Sequence, residues 1–183
     1  MDVIKDKDAI WDTDKYEVIL LPATIYHMLT NGFQSKMRFK YPQIEKADDA
    51  TSYGDLRRLG TNLTVDVGDG RKVCLMYCLS YPYSNKVFVD YTSLDKCLML
   101  AATEFSGKKM MMTAPCMSKY DGNANRRRAM GILEKRLGNE DLTVYDYKIR
   151  ARAEELKAAN RRITDNDLGP QRKEILKKLY LTN

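Results

Sequence analysis

The stretch that most constrains the fold is residues 108–147, which holds a strand, a polar loop, a helix and a second strand in succession. Residues 110–114 form a short apolar run without helical period that stops at Pro115, which is typical of a buried strand. Apolar residues then recur at helical spacing from Arg126 onward, and another apolar run follows at 142–147. This order predicts neighbouring strands joined by a helix that packs on the sheet.

The polar loop in the middle of this unit is the first candidate site. In parallel α/β sheets, ligands bind beyond the carboxyl ends of the strands, where loops meet the starts of helices. The loop carries a lone acid, Asp121, followed by Gly122. Asn123 or Asn125 could cap the helix that comes next. Two interpretations of Asp121 stay open: a general acid or base, or a turn residue that precedes the cap.

Three consecutive arginines, Arg126, Arg127 and Arg128, stand in the first turn of the predicted helix. The helix dipole favours anions at this end, so three cations there are a mismatch that needs a reason. Either the arginines extend into water or pair with Asp121 and Glu134, or they help to hold a phosphate at the helix terminus. The second interpretation predicts a binding site for a phosphate group.

The first sixty residues predict one edge strand, one stronger strand and one helix. Residues 2–11 favour the edge strand, and residues 16–21 form the stronger strand, which Pro22 is expected to stop. A helical pattern then runs over residues 23–41 and is broken once by an Asn-Gly pair. Residues 43–59 are polar and predict a connection between elements.

The middle of the chain predicts a hairpin and a further helix. Residues 62–67 and 72–79 favour β-strands, and the Asp-Gly pair between them is a strong hairpin signal. The helix follows, with Asp90, Thr92 or Ser93 as its cap. Elements in this order predict an α/β fold with a mixed sheet that is covered on both faces.

Residues 148–183 differ from the rest of the chain in charge. They hold ten of the 31 basic residues and five of the 25 acidic ones, a net charge of +5 out of +6. The pattern predicts two charged helices and no strand, and so an α/β domain at 1–147 followed by a basic helical extension at 148–183. The extension is expected to dock on the domain or on another protomer. Its candidate nucleic-acid-binding residues are Arg161, Arg162, Arg172, Lys173, Lys177 and Lys178.

Composition excludes several classes of protein. No apolar run approaches the roughly 18 residues that a membrane span needs, and the acidic N-terminus lacks the layout of a signal peptide. The four cysteines form no CxxC pair and His27 is the only histidine, so a zinc site is not expected. The sequence therefore predicts an intracellular, cytoplasmic protein without membrane contact, metal or cofactor.

The order of elements and several residues resemble a macrodomain, in particular the branch of terminal ADP-ribose glycohydrolases with relatives in phages and toxin-antitoxin systems. The resemblance covers residues 1–147. Glu17 matches an acid that accepts a hydrogen bond from the adenine amino group, and Asn31-Gly32 matches the first phosphate loop. Asp121 lies close to the position of an acid that this branch uses in catalysis. The resemblance implies a macrodomain-like three-layer α/β/α fold with C-terminal helices added.

Both phosphate loops of that family are rich in glycine, and here they are not. Only Gly32 remains in the first loop, and the second, residues 116–122, has no glycine before Gly122. Glycine is needed where the backbone approaches a diphosphate closely. The lysine that this branch uses as a nucleophile is also missing, since Tyr81 and Pro82 follow the strand after which it is expected. These departures predict a weakened grip on ADP-ribose.

Nucleic-acid binding on a degenerate macrodomain-like fold is the first function that these residues predict, with RNA as the expected ligand. The basic extension and the arginines at 126–128 would bind phosphates, and Tyr81 and Tyr83 could stack on bases. A third possibility is a scaffold that binds a protein partner through the extension, which could also form an oligomer.

Binding or hydrolysis of an ADP-ribosyl group, as a phage counter-defence factor would require, is the second predicted function. Glu17 would contact adenine, and the amides near Gly32 and Gly122 would meet the phosphates. Asp121 would act as the general acid or base if the protein is an enzyme.

Overall fold

The structure is a computed structural model that describes residues 1–4, 12–29, 32–80, 88–114 and 125–145 of the chain. All of them belong to one compact unit, Met1–Tyr147. The strands among them are β1 (Asp2–Ile4), β2 (Val18–Thr24), β3 (Asn62–Gly68), β4 (Arg71–Ser80), β5 (Phe88–Val89), β6 (Met110–Thr113) and β7 (Leu142–Tyr145). The helices are α1 (Gly32–Lys40), α2 (Gln43–Asp49), α3 (Tyr91–Glu104) and α4 (Arg126–Leu137), with short 3-10 helices at Thr13–Lys15 and Leu56–Arg58.

The strands form one mixed sheet in the order β1-β7-β6-β2-β4-β3, with β5 paired to β4. The first five strands in this order, from β1 through β7, β6 and β2 to β4, are all parallel to one another. The strands β3 and β5 run antiparallel to β4. The strand β2 is central, since Ile19 lies opposite Val73 of β4 and Met111 of β6. The predicted α/β fold with a mixed sheet and flanking helices is confirmed.

Two apolar cores cover the two faces of the sheet, because alternate residues of a strand point to opposite sides. Val18 and Leu20 pack with α3 and α4 on one side, which we call the α3/α4 face. Ile19 and Leu21 pack with α1 and α2 on the other side, the α1/α2 face. All four side chains are at most 2% exposed, which explains why β2 is a continuous apolar run rather than an alternating one.

Side-chain caps set the starts of α3 and α4, as predicted. Asp90 Oδ1 accepts a hydrogen bond from Ser93 N at 2.8 Å, and Asn125 Oδ1 accepts one from Arg128 N at 2.9 Å. Each cap satisfies a backbone N–H group that has no partner within its own helix. The unit that dominates the sequence pattern therefore begins its helix where the cap predicts.

The expected strand end at Pro22 is wrong, because β2 continues through it to Thr24. The ladder between β2 and β6 ends at Leu20. That side of β2 therefore tolerates the missing N–H group of proline without the loss of a ladder hydrogen bond. The carbonyl group of Pro22 instead accepts a hydrogen bond from the side-chain amide of Gln34 in α1.

Two further expectations are wrong in detail. Residues 23–29 of the pattern at 23–41 are not helical, and the polar connection at 43–59 contains α2 and a short 3-10 helix. The polar helix α2 buries Ile44 and the acidic Asp48. Its sequence therefore shows no helical repeat of apolar residues.

Candidate functional site

The carboxyl ends of the parallel strands meet at one edge of the sheet, which we call the carboxyl edge. The strands β2 and β6 are neighbours there, α1 is the next helix after β2, and α4 is the next helix after β6. The first turns of these helices, residues 32–35 and 126–129, contain no acidic residue, although acids are favoured at helix N-termini. Two helix starts thus follow neighbouring strands at the edge where α/β proteins bind ligands.

The segment at 25–29 leads from β2 toward α1. Ile25 and Leu29 anchor it in the core of the α1/α2 face. Ile25 O accepts a hydrogen bond from Gly54 N at 2.8 Å. His27 has φ of +50°, a left-handed conformation that residues other than glycine adopt rarely. The segment therefore has a defined shape that includes one unfavourable backbone conformation.

Arg58 binds this segment directly. Its Nη1 atom lies 3.3 Å from Ile25 O, 3.2 Å from His27 Nε2 and 3.0 Å from Ser52 O. Its Nη2 atom donates to Asp48 Oδ1 at 3.0 Å. The side chain is only 11% exposed. One largely enclosed guanidinium group therefore connects the segment to α2 and to the 3-10 helix that contains Arg58.

Asp48 is the buried acid of the same group, with 1% exposure. Its Oδ1 atom also accepts a hydrogen bond from the Tyr77 hydroxyl at 2.7 Å, and the Arg58 guanidinium lies 3.9 Å from the centre of the Tyr77 ring. Among the described residues, Asp48 Oδ2 has no hydrogen-bond partner. Burial, together with the hydrogen bond to Asp48, raises the pKa of Tyr77 and keeps the hydroxyl a donor. We call Asp48, Arg58 and Tyr77 the Arg58 cluster.

The start of α4 carries the three arginines that the sequence singles out, and all three are exposed. Asn125 N donates to Tyr91 Oη at 2.7 Å, and Arg128 Cζ lies 4.3 Å from the centre of the Tyr91 ring. This cation–π contact accounts for one of the three cations at an unfavourable helix end. It also joins the starts of α3 and α4 at the carboxyl edge.

The structure places Glu17 at the opposite edge of the sheet, directly before Val18 at the amino end of β2. Its carboxylate accepts hydrogen bonds from Lys108 Nζ at 2.8 Å and Lys109 N at 3.0 Å. These bonds, the first of them most strongly, hold the pKa of Glu17 below its usual value. The length of β2, roughly 20 Å, separates Glu17 from the carboxyl edge. The adenine contact at Glu17 stays a prediction, and the structure does not bring this residue together with Gly32.

Many predicted site residues lie outside the described part of the chain: Asn31, Tyr81, Tyr83, Asp121, Gly122, Arg161, Arg162, Arg172, Lys173, Lys177 and Lys178. Their roles stay predictions, as do the domain boundary at residue 147 and the helices of the extension. Gly32 is the first residue of α1. The described strands β4 and β6 end at the carboxyl edge, and in the sequence residues 81–87 follow β4 and residues 115–124 come after β6.

Sequence reasoning missed all three members of the Arg58 cluster. Asp48 and Arg58 lie in a stretch that was interpreted as a polar connection, and Tyr77 lies in a strand, where an aromatic residue is ordinary. The available signal was a pair of oppositely charged doublets, Asp48-Asp49 and Arg57-Arg58, on either side of a turn. That signal indicates a contact between the doublets and says nothing of its burial.

No three of the described His, Cys, Asp and Glu side chains come together as a metal site requires. Burial raises the pKa of the Cys97 thiol to about 12, which disfavours its reactive thiolate form at neutral pH. Of the helices in the described ranges, none is both long and apolar enough to cross a membrane.

Solved structures share this fold. The macrodomain of Thermus aquaticus DarG matches with a TM-score of 0.59 and 9% identity over 80% of this chain and 96% of its own. A macrodomain protein from Streptomyces coelicolor matches with a TM-score of 0.53 and 17% identity, over 71% and 86%. The Trypanosoma brucei macrodomain in complex with ADP-ribose matches with a TM-score of 0.55 and 14% identity, over 83% and 65%. No family model and no curated protein matches the sequence. The order of strands, the flanking helices and these likenesses together show that the chain has the macrodomain fold.

Proposed function

We propose that the chain binds ADP-ribose, or a related nucleotide with a diphosphate group, at the carboxyl edge of its sheet. The observation that carries the proposal is the pair of helix starts, α1 and α4, that follow the neighbouring strands β2 and β6. A diphosphate carries two negative groups, and two helix N-termini free of acidic residues, one after each of these strands, favour both. The Trypanosoma brucei macrodomain, which has this fold, was solved in complex with ADP-ribose.

Each part of the proposed site has one role. The backbone amides at the start of α1, near Gly32, meet one phosphate, and those near Gly122 meet the other. The exposed arginines at 126–128 add positive charge beside them. The segment at 25–29 borders the ligand, because it connects β2 with the approach to α1. Asp121 acts as the general acid or base if the bound group is hydrolysed.

Nucleic-acid binding is the second candidate, and the distribution of charge favours it. The arginines at 126–128 are exposed on α4, and residues 148–183 carry a net charge of +5 out of the total of +6. Positive charge gathered in this way is the usual footprint of binding to a phosphate backbone. RNA is the ligand of this candidate, with Tyr81 and Tyr83 as stacking residues.

Calorimetric titration of the full chain separates the two candidates. Free ADP-ribose and a single-stranded RNA are each titrated at about 50 mM and about 200 mM salt. We expect saturable binding of ADP-ribose at one site at both salt concentrations. An RNA affinity that falls steeply with salt, without any heat from ADP-ribose, would overturn the proposal in favour of the second candidate.

Hydrolysis is a separate question that the Asp121→Ala variant addresses. If the bound group is cleaved, this variant should retain ADP-ribose binding and lose release of ADP-ribose from a modified substrate. Equal release by the variant and the wild-type chain would remove Asp121 from any catalytic role.

A further inference from the structure

We infer that Arg58 and Asp48 are positioning residues that hold the segment at 25–29 in the shape in which it borders the bound nucleotide. The inference rests on the proposed function for the identity of the ligand. The inference adds that the Arg58–Asp48 ion pair restricts the conformation of this segment. Without the ion pair, the segment between β2 and α1 populates other conformations as well. Neither side chain has to touch the ligand for this role.

The first support is the set of hydrogen bonds that Arg58 makes. Its Nη1 atom contacts Ile25 O, Ser52 O and His27 Nε2, while Nη2 binds Asp48. A guanidinium group is planar and holds its five N–H donors in a fixed fork. Contacts on both nitrogens therefore fix the bonded groups relative to one another. The buried carboxylate of Asp48 orients the fork, and the fork orients the segment.

The second support is the backbone of His27, whose φ of +50° lies in a region that residues other than glycine seldom occupy. Strained conformations persist only when their surroundings over-determine them, and they cluster at ligand-binding segments. Around His27 the surroundings are Arg58, the Thr51 hydroxyl at 3.0 Å from Nε2, and the Tyr53 ring, packed edge-on with 5.5 Å between ring centres. The Arg58 contact is thus one of the interactions that hold the strained residue.

His27 Nε2 has two polar neighbours. The Thr51 hydroxyl, which donates to the Asp48 carbonyl, lies 3.0 Å away, and Arg58 Nη1 lies 3.2 Å away. The other ring nitrogen, Nδ1, lies 3.7 Å from Asp49 Oδ1. Arg58 is thus one of several polar groups that position the His27 ring.

Stability alone does not explain a buried ion pair at this place. Removing two charges from water costs free energy, and apolar side chains of similar volume often stabilise a protein equally well or better. Asp48 is nevertheless 1% exposed, and its Oδ2 atom has no hydrogen-bond partner within the described ranges. The shape that the pair imposes on the segment at 25–29 gives a reason for its presence.

The test compares Arg58→Lys with Arg136→Lys in the full chain. Both substitutions keep the charge and remove the planar fork, and Arg136 forms a two-bond pair with Asp95 between α4 and α3. Amide hydrogen exchange is followed at Gly54, which donates to the segment, and at Leu75 in β4, which reports on unfolding of the whole domain. The dissociation constant for ADP-ribose is measured on the same samples.

We expect Arg58→Lys to accelerate exchange at Gly54 about tenfold relative to Leu75. The dissociation constant for ADP-ribose should rise about tenfold. This is the change expected when the fraction of molecules whose segment has the binding-competent shape falls to about a tenth. Arg136→Lys should change neither quantity. Equal acceleration at Gly54 and Leu75, or no acceleration, overturns the inference whatever the ligand data are. A wild-type chain that does not bind ADP-ribose refutes the proposed function, and the exchange ratio still decides whether Arg58 orders the segment.

Discussion

The two faces of the sheet are stabilised in different ways. On the α3/α4 face, Leu94, Leu98 and Leu133 are completely buried, and the ion pair of Arg136 with Asp95 joins the two helices at a partly exposed position. On the α1/α2 face, the apolar core lies beside the Arg58 cluster, whose acid is 1% exposed and whose base is 11% exposed. The ion pair of the α3/α4 face is therefore partly exposed to water, whereas the ion pair of the α1/α2 face is largely shielded from it.

The difference shows what each kind of interaction can do. Burial of apolar surface has no direction, so the α3/α4 face gains stability from volume and shape alone. Hydrogen bonds are directional, so the Arg58 cluster can also fix the path of the chain at 25–29. Substitutions in the apolar core of the α3/α4 face should therefore change stability alone, whereas substitutions in the Arg58 cluster should change stability and ligand binding together.

The largest effect is expected from Arg58→Met. It leaves Asp48 buried without its cation, so the free energy of unfolding, measured with urea, should fall by about 3–5 kcal/mol. The double variant Asp48→Leu/Arg58→Met should regain much of this loss, because apolar groups replace both charges. Its ADP-ribose affinity should stay weak, since the segment at 25–29 is no longer held. A double variant no more stable than the single one would show that the two side chains do not act as a pair.

The substitution Leu133→Ala shortens a side chain in the core of the α3/α4 face. It should lower the free energy of unfolding by about 2–5 kcal/mol, because apolar burial is lost and a cavity remains. At a temperature where the variant stays folded, its dissociation constant for ADP-ribose should equal that of the wild-type chain. Urea unfolding and calorimetry measure the two quantities. A clear loss of affinity here would remove the distinction between the faces.

Two glycines make a matched pair for the same comparison. Gly54 and Gly70 have φ of +67° and +73°, so alanine at either should cost about 1–2 kcal/mol. An added Cβ atom would lie 3.3 Å from Tyr26 Cε1 at Gly54 and would meet nothing within 4 Å at Gly70. Gly54→Ala should also weaken ADP-ribose binding, and Gly70→Ala should not. Equal affinities in calorimetry would argue against a role for the segment at 25–29.

The smallest effect is expected from the partly exposed pair of the α3/α4 face. The hydrogen bond from Arg136 holds the pKa of Asp95 below its unfolded value. The stabilisation from this ion pair is therefore fully present above the unfolded-state pKa of Asp95, about 3.9. It is lost as pH falls through the lower pKa that Asp95 has in the folded protein. Asp95→Asn should be slightly less stable than the wild-type chain at neutral pH, with the difference shrinking below about pH 4. Urea unfolding at several pH values measures this difference, and a difference that grows in acid would contradict the pairing.

The sequence was sufficient for elements whose signals are local. The strand at 110–113, the cap of α4 and the hairpin of β3 and β4 each depend on residues close together in the chain. Pattern rules therefore located the strand and the hairpin, and capping rules narrowed the cap to Asn123 or Asn125, of which the structure has Asn125. The end of β2 was misplaced at Pro22, because tolerance for proline depends on where the neighbouring strand stops.

The candidate site was predictable only in part. Topology alone identifies the carboxyl edge, and the arginines at 126–128 are visible in the sequence beside it. The Arg58 cluster was not predictable, since burial of Asp48 with Tyr77 depends on how α2 packs against β4. The position of Glu17 at the amino edge follows from the strand predicted at 16–21, so the match to an adenine-binding acid conflicted with the expectation of a site at the carboxyl ends of the strands.

The most direct test of the central claim is a map of ADP-ribose binding by NMR on the full isotope-labelled chain. Titration should shift the amide signals at 25–29, around Gly32 and at 125–128, where the ends of β2 and β6 meet α1 and α4. Signals next to Glu17 at the amino edge should stay in place. Shifts confined to Glu17 and its neighbours or to residues 148–183, or no shifts at millimolar ligand, would contradict the account.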